Sequence, residues 1–253
     1  MSDGEHLFPL TSAAVSTLSV FEELPSTNAW QRTHSAELSE WSITATLSQT
    51  AGRGRLGRSW LSHPGGSLAF SVMFPACSGQ HRSWLSLVAG AAVAESIHAL
   101  GVASVIVKWP NDVLVDSEKI SGILCEALPD SRVIVGIGVN LDMSSDNPVA
   151  PGATGLSAHL NEIGGASDSL MASIVGRLQQ WNAVPVDQAA EWARGYVEPF
   201  MGTLGSFVSV HQNSSTFWSG QALGLDDAGH LLVRDNADQA IRTVVASDIL
   251  HLR

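Results

Sequence analysis

A chain of 253 residues, 45% hydrophobic and 15% charged, can bury a sizeable core, which excludes a disordered tail and predicts one main domain with room for a small second one. Its net charge of −11 and sequence pI near 5.1 argue against a general nucleic-acid binder that neutralises many phosphates. The two cysteines, Cys77 and Cys125, lack CxxC spacing, so neither a disulfide framework nor a cysteine-rich zinc site is expected, and a reducing, cytoplasmic setting fits.

In chain order, residues 1–20 are rich in Ser, Thr and Ala and read as an N-terminal extension too short for a three-helix DNA-binding module. They carry acidic residues and lack the basic region and apolar run of a secretion signal, and no stretch has the length of a membrane span, so a soluble protein is expected. Val20-Phe21 reads as a short strand, and Ser26-Thr27-Asn28 are helix-capping residue types ahead of Ala29-Trp30-Gln31. A plain N-cap explains them; exposed hydroxyls and amides at a helix start would also hold a polar ligand group. Ser42 to Ser48 alternates and is β-branched, predicting a strand that delivers Gln49, and a second strand is predicted over Ser67 to Phe74, with a sheet edge on each side of the intervening loop.

That loop, from Gln49 to Trp60, carries Gly52, Gly54 and Gly57 interleaved with Arg53, Arg55 and Arg58. Glycine permits close backbone approach and arginine supplies fixed cations, so the pattern expects an anion and a loop that orders over it. A solvated basic turn or a nucleic-acid contact fits the loop alone equally well. Trp60 reads as core by default, with stacking against a base as the alternative.

Apolar positions Leu85, Val88, Ala92, Val93, Ile97 and Leu100 recur at helical spacing and predict a scaffold helix over Arg82 to Leu100. His98 near its end has no second histidine at metal-binding spacing and reads as a surface or capping residue. Next, Val105 to Val115 reads as a strand broken by a Trp-Pro-Asn-Asp corner that brings Lys108, Asn111 and Asp112 together. A tight turn explains these types; so does a cation, an amide and a carboxylate around a polyphosphate and its Mg²⁺. Lys108 and Lys119 are the only lysines among thirteen basic residues. Lys119 to Glu126 reads as the return strand of a hairpin and Arg132 to Asn140 as a further strand, where Gly136 and Gly138 imply close approach by a ligand or another backbone. Residues 142–169 read as long connections. Helices follow around Leu170 to Trp181 and Val186 to Tyr196, then short strands over Phe207 to Val210, Phe217 to Leu223, Leu231 to Arg234 and Ile241 to Val245, the texture of a small β-barrel.

The ordered motifs GRGRLGRSW (52–60), KWPND (108–112), KISGILCE (119–126) and GIGVN (136–140) closely resemble those of the biotin protein ligases, from about Phe21 to the C-terminus. The resemblance implies an α/β (α+β) fold: a mixed, largely antiparallel sheet flanked by helices in a class II synthetase-like catalytic domain over 21–200, then a small SH3-like β-barrel over 201–253. It implies the ligase-only class, without the N-terminal DNA-binding domain of some members. It further implies ATP and biotin as substrates with Mg²⁺, a biotinyl-5′-AMP intermediate, and transfer to a lysine in the biotin carboxyl carrier domain of an acyl-CoA carboxylase.

By resemblance, Arg55, Lys108 and Lys119 are catalytic. Ser26, Thr27, Asn28, Gln49, Gly52, Arg53, Gly54, Arg55, Lys119, Gly122 and Gly136 line the biotin site. Arg55, Arg58, Trp60, Lys108, Asn111 and Asn140 face ATP, and Asp112 assists Mg²⁺. No membrane and no DNA partner is expected, and the chain is read as a monomer or weak homodimer. A lipoate or octanoate ligase of the same broad fold is the nearest rival, but its Arg-Arg-Ser-Gly-Gly-Gly type motif is not in this sequence; a nucleic-acid-binding regulator is a more distant one.

Overall fold

The computed structural model describes residues 4–143, 151–211, 217–245 and 248–251. Two short helices, α1 (Gly4–Leu7) and α2 (Pro9–Ala14), precede β1 (Thr17–Phe21), α3 (Thr27–Thr33) and β2 (Ser42–Thr46). The glycine-arginine segment then folds as a miniature hairpin of β3 (Gly52–Arg53) and β4 (Ser59–Trp60), followed by β5 (Ser67–Phe74) and the long helix α4 (Gly79–Ala99). Next come β6 (Val105–Lys108), β7 (Asp112–Val115), β8 (Glu118–Ala127), β9 (Val133–Asn140), α5 (Ala166–Asn182) and α6 (Ala189–Val197). The chain ends in β10 (Phe207–His211), β11 (Phe217–Leu225), β12 (Leu231–Asp235), β13 (Ile241–Val244) and β14 (Asp248–His251).

Seven strands form the main sheet in the order β1-β2-β5-β9-β8-β7-β6. Only β1 and β2 pair in parallel, so the sheet is mixed and largely antiparallel, as expected. β5 and β9 are buried along their whole length, the condition of strands covered on both faces. The expectation of sheet edges beside the glycine-arginine loop fails, because β2 and β5 are interior neighbours paired from Ile43↔Val72 to Thr46↔Ala69. The loop is thus a long hairpin connection rising from the middle of the sheet.

Helix α4 is apolar nearly all round because it is covered nearly all round, by the sheet and by α5 and α6, and Trp84 to Ala94 are almost continuously buried. Its periodicity marks a helix correctly but marks no single wet face. His98 Nδ1 donates to the Val102 carbonyl at 3.2 Å at the helix end, a local capping contact. The C-terminal strands form a five-stranded antiparallel sheet, β13-β12-β11-β10-β14, in which β14 was not anticipated. It is tied to the main domain by two indoles: Trp84 Nε1 donates to the Asp227 carbonyl at 2.9 Å and Trp109 Nε1 to the Gly229 carbonyl at 3.1 Å.

The N-terminal segment holds helices that Ser, Thr and Ala did not announce, and β1 starts at Thr17, inside the stretch read as an extension. It is fastened by buried Asp168, whose carboxylate accepts from Leu10 N–H and Thr11 N–H, both at 2.9 Å, and from the Thr11 hydroxyl at 2.8 Å. Asp168→Ala strands these donors and should cost about 2 kcal/mol of unfolding free energy, read as a lower urea midpoint at unchanged m-value. An unchanged midpoint would show the segment to be a passive strap. Residues 144–150 of the long connection lie outside the described residues, and no helix among the described residues is long and apolar enough to cross a membrane.

Candidate active site

A cavity opens on the main sheet beneath the β3–β4 hairpin, and its floor is glycine. A Cβ on Gly136 would lie 2.1 Å from Asn28 Oδ1, one on Gly138 2.6 Å from the Trp60 ring, and one on Gly122 3.1 Å from that ring and 3.2 Å from Lys119 Nζ. The strand glycines therefore do admit close neighbours, and within the protein these are the side chains of Asn28 and Trp60. Trp60 is half-buried against this floor, neither core nor free, and its indole N–H has no hydrogen-bond partner among the described residues.

One wall is neutral and polar. Ser26 is the N-cap of α3 and accepts from Ala29 N–H at 3.3 Å, while the next two residues turn toward the cavity. Gln49 Oε1 accepts from Thr27 N–H at 2.9 Å, which joins the end of the β2 segment to the start of α3. Gln31 on the same helix donates to the carbonyls of Ser42 and Ser71 at 3.0 and 2.9 Å, so α3 is pinned across β2 and β5.

The opposite wall is cationic. β6 and β7 form a hairpin whose Trp109–Pro110 bond is cis and whose register sets Lys108 beside Asp112. Asn111 is held by its Nδ2 on the Ile123 carbonyl at 3.0 Å, leaving Oδ1 to accept from Arg55 Nη1 at 3.2 Å. Lys119 reaches this wall because the β7–β8 register skips between Val113↔Ser121 and Leu114↔Lys119. Such a bulge re-aims a side chain, and Lys119 thereby shares a face with Gly122 rather than opposing it. Its Nζ lies 2.6 Å from Asp112 Oδ1 and 5.6 Å from the Trp60 ring centre. Burial holds the Lys108 ammonium below the usual lysine range, with Asp112 opposing the shift and Lys119 and Arg58 adding to it. Burial likewise lowers Arg55, against the pull of Asp112.

Ser26, Thr27, Asn28, Gln49, Arg53, Gly54, Arg55, Arg58, Trp60, Lys108, Asn111, Asp112, Lys119, Gly122 and Gly136 all line this one cavity. Two expected residues do not. Gly52 faces a neighbouring hollow between the hairpin and the end of β8, where a Cβ would strike Gln49 Nε2 at 2.4 Å. Asn140 is buried and spends its Nδ2 on the carbonyls of Lys119 and Thr154 at 3.2 and 3.0 Å, so it braces the Lys119 backbone from behind. Ser59, Ala69, Trp109, Pro110, Ile123, Leu124, Ile137 and Gly138 complete the lining. The apolar strand positions among them were missed as site residues because they carry no chemical signature, although pairing sets Ala69 and Leu124 opposite Gly138 and Gly136, on the glycine face.

Asp112 is the sole carboxylate lining the cavity, and the described residues hold no cluster of three metal-binding side chains. A cation-rich wall thus faces a neutral polar wall across a glycine floor, an arrangement whose charge suits anionic groups at one end and an uncharged polar group at the other.

Residues 19–144 match the Biotin/lipoate A/B protein ligase family. The chain is 34% identical over 218 residues to the biotin–[acetyl-CoA-carboxylase] ligase of Mycobacterium tuberculosis, covering 81% of this chain and 77% of that one. It is 34% identical over 211 residues to the enzyme of the same name from Paracoccus denitrificans, covering 76% and 84%. The fold is shared with the biotin protein ligase of Aquifex aeolicus in complex with biotin and ATP, at a TM-score of 0.77, 25% identity, and 94% and 100% coverage. The chain belongs to the biotin protein ligase family.

Proposed function

We propose that this protein uses ATP to join biotin to a lysine of a biotin carboxyl carrier domain through biotinyl-5′-AMP. The observation that carries this reading is the meeting, over one glycine floor, of the Thr27–Asn28–Gln49 wall with the Arg55, Arg58, Lys108 and Lys119 wall. A carboxylate and a triphosphate repel each other, and fixed cations offset that repulsion and stabilise the charge that builds as they react.

In the first half-reaction a biotin carboxylate oxygen attacks the α-phosphorus, and the bond to the β,γ-pyrophosphate breaks. Lys119 would face the reacting carboxylate and α-phosphate, with Lys108, Arg55 and Arg58 on the phosphate side. In the second, the acceptor lysine amine attacks the acyl carbon, loses a proton and expels AMP. Asp112, one oxygen of which is held by Lys119, would offer its other oxygen as a single protein ligand to a Mg²⁺ on the triphosphate, and such an ion would neutralise phosphate charge. Both cysteines are free, which supports a reducing, cytoplasmic setting.

Pyrophosphate release should be measured with Mg-ATP and, separately, biotin, lipoate, octanoate or no acid, with the adenylate identified by mass. Release with biotin alone is expected. Release with lipoate or octanoate instead would keep the mechanism and overturn the substrate, and no release with any acid would overturn the enzyme reading.

Gly136→Ala drives a methyl into Asn28 Oδ1, so the KM for biotin should rise by about a hundredfold with that for ATP little changed, on the scale of an overpacked, misaligned binding group. Equal changes in both would place the damage outside the biotin wall. Because Lys108 is charged only below its lowered pKa, and phosphates favour the charged form, the KM for ATP should climb as pH rises into a range where an ordinary lysine, with pKa about 10.4, is still protonated. Lys108→Arg should remove that climb; its persistence would assign the titration elsewhere.

A further inference from the structure

Asn28 faces the cavity, yet the orientation of its carboxamide is decided from outside the cavity. Its Nδ2 donates to Glu126 Oε2 at 2.7 Å and to the Leu124 carbonyl at 3.2 Å. A carboxylate and a carbonyl can only accept, so both Nδ2 hydrogens are spent and Oδ1 has to point the other way. There it meets Ser71 Oγ at 2.6 Å. Since Oδ1 has no hydrogen, the single Ser71 hydrogen lies in that bond. The 2.8 Å contact between Ser71 Oγ and Thr27 Oγ1 must then run from the Thr27 hydroxyl to Ser71. The alternative for the Thr27 hydroxyl, Gln49 Oε1, is 3.3 Å away and already accepts from Thr27 N–H.

The hydrogens thus run in one direction, from Thr27 to Ser71 to Asn28, while Asn28 donates to Glu126. Thr27 Oγ1 and Asn28 Oδ1 are left with lone pairs only. Glu126 is held in turn by Arg32 Nη2 at 2.7 Å, one helical turn beyond Asn28 on α3. Reversing the carboxamide would put an N–H₂ against Ser71 and reverse every hydroxyl behind it.

We propose that Glu126 is a positioning residue that fixes the hydrogen-bond polarity of the neutral wall, so that this wall accepts from the N–H groups of a cyclic urea. This rests on the reading of biotin as substrate. Glu126 does not line the main cavity and acts only through Asn28.

The test compares wild type, Glu126→Ala and Glu126→Gln in biotin-dependent pyrophosphate release, with biotin and with an analogue in which one ureido N–H is replaced by CH₂. Loss of one charge-assisted hydrogen bond behind the recognising group should raise the KM for biotin about tenfold in Glu126→Ala, leaving kcat and the KM for ATP unchanged. Glu126→Gln retains an acceptor oxygen and should recover most of the loss. The preference of the wild type for biotin over the analogue should shrink about fivefold in Glu126→Ala, an effect that loosened packing alone would not produce. An unmoved KM and preference in Glu126→Ala, or equal rises for biotin and ATP, would overturn the role of Glu126. A wild type that does not use biotin would instead overturn the substrate reading and the urea with it.

Discussion

Replacing Lys119 with alanine should slow biotinyl-AMP formation by about a hundredfold to a thousandfold, the range for removing one preorganised charge from a transition state. The geometry makes the loss twofold in kind. Lys119 Nζ sits 2.6 Å from Asp112 and beside the Trp60 ring, placed there by the skipped register of β7 and β8. Deleting it removes a cation and also releases a carboxylate that would now repel the incoming anions. Lys119→Arg should rescue little, because the planar guanidinium is longer and would have to fit where a Gly122 Cβ already finds Lys119 at 3.2 Å. Single-turnover pyrophosphate release is the measurement, with biotin and ATP saturating. A rate within a few-fold of wild type would show that the other cations suffice and that Lys119 only balances Asp112.

Arg55→Gly should convert a retaining enzyme into a leaking one. Arg55 is the one residue of the β3–β4 hairpin turn with a hydrogen bond to the Trp-Pro-Asn-Asp corner among the described contacts, through Nη1 to Asn111 Oδ1. A hydrogen bond involving a charged group is worth about 1.5–3 kcal/mol, so its loss should raise adenylate dissociation about tenfold to a hundredfold. The added glycine also makes an ordered hairpin more costly in entropy. The mixed anhydride would then react in solution, labelling lysines without selection or hydrolysing. Trapping free biotinyl-AMP on a filter-separable bystander protein reads this directly. Release no faster than from the parent would mean that the hairpin is not the retaining lid.

Most of this architecture was legible because it depends on local signals. The β-branched alternation of β2, the helical spacing in α4 and the Trp-Pro-Asn-Asp corner between β6 and β7 each dictate their own element. The site was legible because its polar residues come in compact motifs whose chemistry is unusual for bland turns. What escaped was non-local. Helix α2 is fastened by a carboxylate more than a hundred and fifty positions away, at Asp168. The interior position of β2 and β5 is a property of strand order, which no window of sequence contains. Asn140 was set facing ATP by the resemblance alone, and the three-dimensional path shows its Nδ2 hydrogens spent on the carbonyls of Lys119 and Thr154. The contribution of Glu126 was hidden for the same reason: it acts through a partner nearly a hundred residues earlier.

The two indoles that reach into the C-terminal sheet bear on how this chain can be recombined. The turn from Asp226 to His230 accepts from Trp84 on the scaffold helix and from Trp109 at the corner that carries Lys108 and Asn111, and Thr203 Oγ1 accepts from the Trp109 backbone N–H at 3.0 Å. A cut after Phe200 would strand three donors next to the cationic wall of the cavity. Chimeras that exchange the final domain between relatives should therefore keep the corner and the 226–230 turn from the same parent, because the two behave as one inherited part despite lying more than a hundred residues apart.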